Sequence, residues 1–67
     1  MKVVLNGEPR ELPAGATVAH AVDATGTSSR SGVAVAVEGE VVPRGSWDTE
    51  RLEEGQHVEV LRAVQGG

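Results

Sequence analysis

No phenylalanine or tyrosine occurs in this chain, and no isoleucine, so any core it folds around must be assembled mainly from valine. Twelve valines, eight alanines, four leucines, one methionine and one tryptophan make up the apolar inventory of its 67 residues. Valine is branched at Cβ, and its stiff side chain suits the pleated surface of a sheet. A domain this short buries only about 60% of the surface its unfolded chain exposes. The inventory therefore predicts one small, β-rich domain with no deep aromatic pocket for a cofactor.

Other classes are excluded by composition. There is no cysteine, which rules out disulfides, thiolate metal sites and cysteine nucleophiles and fits a reducing cytosol. Six basic residues stand against ten acidic ones, a formal charge of −4. Nucleic-acid binders carry a basic excess or stripe, so no nucleic-acid partner is expected. No apolar run reaches membrane-spanning length. The opening Met1-Lys2-Val3-Val4-Leu5 is cut short by Asn6-Gly7-Glu8, too soon for a signal peptide. A cytoplasmic protein without a membrane partner is the expectation.

The pattern along the chain predicts the elements. Residues 2–6 read as a strand and Asn6-Gly7 as a type I′ hairpin turn, which needs positive φ at both central positions. Residues 8–12 form the return strand. Pro9 within it cannot donate to a ladder, so it is an edge, and the first strand takes its second neighbour from elsewhere. Thr17 caps a short helix with Val18, Ala21, Val22 and Thr25 on one face, closed by Gly26. Residues 32–37 alternate large and small, Glu38-Gly39 turns, and residues 40–42 return until Pro43. Ser46 caps one helical turn over residues 46–50, Leu52 plugs the core, and Glu53-Glu54-Gly55 turns again. The last strand, residues 57–64, puts Val58 and Val60 on one side and Glu59 and Leu61 on the other. Arg62 interrupts the inward register and marks where the chain leaves the body. One helix covers one sheet face, and the last strand is the natural partner of the interior first strand. This is an α+β fold, a mixed sheet with one main helix on one face, as in the ubiquitin-like β-grasp.

The sequence ends Val64-Gln65-Gly66-Gly67. Residues 1–63 are expected to form the β-grasp domain and residues 64–67 a flexible tail. A stem without side chains can enter a narrow cleft and adopt φ values closed to other residues. The Gly67 carboxylate is thus placed to be a reactant in another protein's active site, with Gln65 and Gly66 as its stem.

The remaining chemistry-bearing residues read as structural. His20 and His57 lack the further ligands a metal site needs, and His20 lies off the helix's apolar face. The pairs Glu38/Glu40 and Glu53/Glu54 sit at turns and face solvent. Ser28, Ser29 and Ser31 belong to a polar loop. Trp47 is expected to cap the valine core, and Arg44 is a surface residue with docking as an alternative. The uncovered sheet face is the better candidate for partner binding: Val4, Leu61 and Ala63 point away from the helix, with Ala34 and Ala36 extending the patch. Exposed apolar patches mark partner surfaces.

Three segments resemble the thiamine sulfur carrier (ThiS) family. They are Val4-Leu5-Asn6-Gly7-Glu8; Val35-Ala36-Val37-Glu38-Gly39-Glu40-Val41-Val42-Pro43-Arg44 followed by Trp47; and Leu52 with Gly55, leading to Val58-Glu59-Val60 and Ala63-Val64-Gln65-Gly66-Gly67. The likeness spans nearly the whole chain. It departs at Glu38, where the family often has Asn, and at Gln56, where it often has Asp; both are turn positions. The resemblance implies that a partner adenylates the Gly67 carboxylate with ATP and Mg²⁺. The adenylate is then converted to a thiocarboxylate with sulfur from a donor such as a persulfide-bearing protein, and thiazole synthase takes the sulfur. The chain is then a protein co-substrate, with no catalytic residues and no bound cofactor of its own. Other readings stay open: a small subunit of molybdopterin synthase, a ubiquitin-like modifier joined to lysines, and a β-grasp binding module without tail chemistry.

Overall fold

The computed structural model describes residues 1–27 and 30–62. Strand β1 (Lys2–Leu5) turns at Asn6 and Gly7, with φ of 51° and 83°, into β2 (Glu8–Glu11). Helix α1 (Val18–Ala24) follows, then the hairpin of β3 (Val33–Val37) and β4 (Glu40–Val42). A 3-10 turn (Arg44–Ser46) and strand β5 (His57–Arg62) complete the described residues. The sheet has five strands in the order β2-β1-β5-β3-β4. Strand β5 runs parallel to β1 and antiparallel to β3. The α+β architecture and the pairing of first and last strands agree with the sequence pattern. Pro9 lies in β2, an edge strand whose four residues are all exposed.

One face of the sheet builds the core. Val3 and Leu5 from β1, Val33 and Val35 from β3, and Val58 and Val60 from β5 are buried against Val18, Ala19, Ala21 and Val22 of α1. A helix of seven residues is too short to stand alone in water. Its first N–H groups have no partners within the helix, so the connecting segments supply them. Val18 donates to the Glu50 carbonyl at 2.9 Å and Ala19 to the Trp47 carbonyl at 3.0 Å. Thr17 is the N-cap as expected, and exposed His20 takes the role Glu or Gln plays in a capping box: its Nδ1 accepts the Thr17 N–H at 2.9 Å. The neutral ring must therefore carry its proton on Nε2.

Trp47 fills the volume that valine cannot. It is 1% exposed, and its indole N–H donates to the Val42 carbonyl at 2.9 Å. The guanidinium carbons of Arg30 and Arg44 lie 5.9 and 6.0 Å from the ring centroid, within reach of a cation–π attraction. Arg30 also pairs with Asp48 at 3.3 Å.

Two local expectations are corrected. The helical turn begins earlier than Ser46: it is a 3-10 turn over Arg44–Ser46, with Pro43 as its N-cap at φ −59°. Proline presets the backbone there and has no N–H to leave unpaired. Ser46 instead ends that turn, and its carbonyl accepts the N–H groups of Thr49 at 3.1 Å and Glu50 at 2.8 Å. The second correction concerns Arg62, which is still within the sheet opposite Val33, with its guanidinium donating to Thr27 Oγ1 at 3.1 Å.

A core this thin cannot close over a missing indole. Trp47→Ala should lower stability by about 3–5 kcal/mol, the usual cost of truncating a buried aromatic. Urea unfolding followed by circular dichroism will read it, since the only tryptophan is lost as a probe. A loss under about 1 kcal/mol would show that Trp47 merely covers the core.

Candidate functional site: the outer sheet face and the root of the C-terminal segment

Strand alternation sends one set of side chains to the face that α1 leaves uncovered. Val4, Leu61 and Ala34 all lie there, as the sequence implies, but they do not form one patch. Leu61, 64% exposed, stands opposite Ala34, while Val4 stands opposite His57 at the other end of β5. The two positions on β5 are offset by four residues, about 13 Å along an extended chain. Glu59 lies between them, opposite Ala36. The apolar strip instead crosses toward β4: Ala36 faces Val41, which is 76% exposed. Val41 was not among the expected face residues. The alternation of Glu40-Val41-Val42 carries the signal, since partly buried Val42 packs on the core and Val41 must then point outward. Ala63, Gln65, Gly66 and Gly67 lie outside the described residues, as do Ser28 and Ser29.

Strand β5 leads to the C-terminal segment and is held from both sides. On one side β3 pairs with it as far as Arg62. On the other, β1 ends at Leu5, but Asn6 continues the contact. The Asn6 N–H donates to the Val58 carbonyl at 2.9 Å. Its side-chain Oδ1 accepts the Val60 N–H at 2.8 Å and its Nδ2 donates to the Val60 carbonyl at 3.3 Å.

The start of β5 is tied down by the β3–β4 turn. Glu38 adopts φ 50°, a left-handed backbone uncommon for a residue with a long side chain. Its Oε2 accepts the His57 N–H at 2.6 Å and lies 3.3 Å from His57 Nδ1. The departure at Glu38 thus leaves the turn intact. At the other departure, Gln56 Oε1 accepts the Glu53 N–H at 2.8 Å and closes its own turn. The His57 backbone N–H, aided by its ring, holds the Glu38 carboxyl below its ordinary value. Among the described residues no group of three or more His, Asp or Glu side chains is placed to hold a metal ion. Nor is any described helix long and apolar enough to cross a membrane.

The fold is β-grasp-like, and two solved structures match it over the whole of this chain. The crystal structure of the thiamine biosynthesis protein (ThiS) from Geobacter metallireducens superposes with a TM-score of 0.79 at 28% identity, covering all of both chains. The NMR solution structure of a thiamine biosynthesis protein from the same organism gives 0.79 and 28%, covering this whole chain and 88% of that one. The sequence pattern of the ThiS family matches residues 3–67. The chain belongs to the ThiS family. A curated relative, the thiazole synthase of Paramagnetospirillum magneticum, is 36% identical over 67 residues. The chain spans about a fifth (20%) of that protein's length.

A depressed carboxylate pKa stabilises the fold above the unfolded value, and that stability is lost as pH falls through the folded value. The urea midpoint of Glu38→Gln should therefore lie below that of wild type at neutral pH. The gap should close as the medium is acidified past the ordinary carboxylate range. A gap that stays constant with pH would mean that the charge of Glu38 contributes nothing.

Proposed function

We infer that this chain carries sulfur for thiazole formation on the α-carboxylate of Gly67. The observation that carries the reading is the family match, which runs through the Gly-Gly end. A carboxylate is a poor electrophile. A partner enzyme of the ubiquitin-activating kind attaches AMP to it from ATP and so creates a leaving group. The charge that develops needs Mg²⁺ and basic donors in a water-excluded site, and these belong to the partner. The terminal sulfur of a persulfide-bearing donor then displaces AMP and forms an acyl disulfide. A second thiol attacks the donor-side sulfur, is left in a disulfide with the donor and releases the thiocarboxylate. Thiazole synthase takes the sulfur. The relative that bears that name and aligns with this whole chain over a fifth of its length supports this choice of acceptor. Such traffic between ATP-using partners suits the cytoplasm.

In this reading residues 1–63 are the body and residues 64–67 the tail that enters the partner. Leu61 and Ala63 make the docking contacts near the tail, and Val4 makes a separate contact at the other end of β5. Leu61 is the strongest of the three, since it is 64% exposed beside Ala34 on the face that α1 leaves uncovered.

Two experiments test the reading. Leu61→Glu should weaken the complex with the activating enzyme at least about tenfold, the effect of losing a modest interface anchor, without moving the thermal midpoint. Normal binding and adenylation would remove Leu61 from the interface. The second concerns Gly67. One added residue shifts the terminal carboxylate by up to about 3.5 Å, and reacting groups in a cleft tolerate far less. Extension and deletion at Gly67 should abolish thiocarboxylate formation, and Gly67→Ala should impair it, all at unchanged stability. Intact mass after incubation with enzyme, ATP and a sulfur source reads the oxygen-to-sulfur exchange. Full activity of an extended, untrimmed chain would reject the mechanism, and a branched adduct on a lysine would favour a modifier.

A further inference from the structure

The hairpin turn explains the backbone of Asn6 but not its side chain. A glycine would satisfy φ 51° as well. The carboxamide carries one acceptor and a donor, as a peptide group does. It uses both on one residue, with Oδ1 to the Val60 N–H at 2.8 Å and Nδ2 to the Val60 carbonyl at 3.3 Å. The side chain thus stands in for the strand residue that β1 would have offered had it not turned. It is the contact that holds β5 on the β1 side beyond Val58, while β3 holds the other side to Arg62.

We propose that Asn6 is a positioning residue for the carrier reaction, fixing the point from which the C-terminal segment departs. The proposal rests on the carrier reading. Beyond Arg62, five residues reach at most about 18 Å when fully extended, so the reacting carboxylate inherits any displacement of its root. Releasing Val60 leaves all of β5 beyond Val58 held from β3 alone and spreads the positions from which Gly67 starts. The apolar strip of Leu61, Ala34, Ala36 and Val41 keeps its own residues. The loss therefore falls on kcat for adenylation and largely spares KM.

Three variants separate this role from simple stability. Asn6→Gly keeps the turn and removes the amide. Asn6→Asp keeps an acceptor for the Val60 N–H but sets a second acceptor against the Val60 carbonyl. Gly7→Ala strains the same turn at φ 83°, where an added Cβ meets nothing within 4 Å, and leaves the Asn6 amide in place. All are assayed with the activating enzyme well below their thermal midpoints, alongside amide exchange at Val60. Asn6→Gly should lower kcat about tenfold with KM within about twofold, a loss on the scale of a sub-ångström misplacement, and speed exchange at Val60. Asn6→Asp should fall between it and wild type. Gly7→Ala should lower the midpoint without either effect. If Asn6→Gly does not fold, Asn6→Asp carries the same comparison. Wild-type kcat in the Asn6 variants, or a rate loss in Gly7→Ala that matches its stability loss, overturns the proposal. A wild-type chain that is not adenylated overturns the carrier reading, and the proposal with it.

Discussion

Strand β5 joins two hairpins that share no other ladder among the described residues. The β1–β2 pair lies to one side of it and the β3–β4 pair to the other. Closing the β1–β5 pairing brings together residues more than fifty positions apart, such as Val4 and His57. Loop closure on that scale costs entropy before any contact returns it, and the ladder pairs only Val4 with His57 and Leu5 with Val58. The stabilisation must come from what lies beneath. Val3, Leu5, Val58 and Val60 are all buried under α1, and each buried side chain of that size contributes about 1.5–3 kcal/mol. The sheet centre and the helix therefore form together: the helix is too short without the sheet, and the β1–β5 pair is too short without the helix.

The same dependence reaches the loops. The first turn of α1 is completed by the carbonyls of Trp47 and Glu50, so the segment after β4 must fold back over the helix N-terminus. Leu52 then enters the core and its N–H reaches the Ala16 carbonyl at 2.9 Å. Trp47 anchors this segment from within through its bond to Val42. In a chain without phenylalanine, tyrosine or isoleucine, one indole supplies the bulk that fixes where the crossing segment lies.

The fold was legible because its signals are local. Asn6-Gly7 carried its turn, Pro9 marked an edge, and the alternating runs around Val35 and Val58 declared which side chains point inward. The candidate site was less legible because alternation assigns a face and not an offset. Val4 and Leu61 do share the outer face, yet the parallel register sets Val4 against His57 and Leu61 against Ala34. Nothing in either strand's own pattern encodes that shift. The side-chain roles of Asn6, Glu38 and His20 were invisible for different reasons. Asn6 reaches Val60 and Glu38 reaches His57 across the sheet, pairings that exist only once the register is set. His20 bonds locally to Thr17, but an imidazole in place of the usual Glu or Gln hides the capping box.

The position of β5 bears on what a carrier must do. A protein whose chemistry is performed by its partners supplies a body, a docking face and a reacting end in fixed relation to one another. Edge strands and termini open at low free-energy cost, whereas a central strand bonded on both sides opens only with much of the domain. Placing the C-terminal segment after the central strand gives its root the resistance of the whole sheet. The apolar strip proposed for docking is part of the same construction, because Leu61 lies on β5 and Ala34 and Ala36 lie on the β3 strand bonded to it. Face and root therefore move as one body. Any slip of β5 by one residue would exchange Leu61 for a core valine, so the packing that stabilises the fold also fixes the distance between the proposed docking strip and the root of the C-terminal segment.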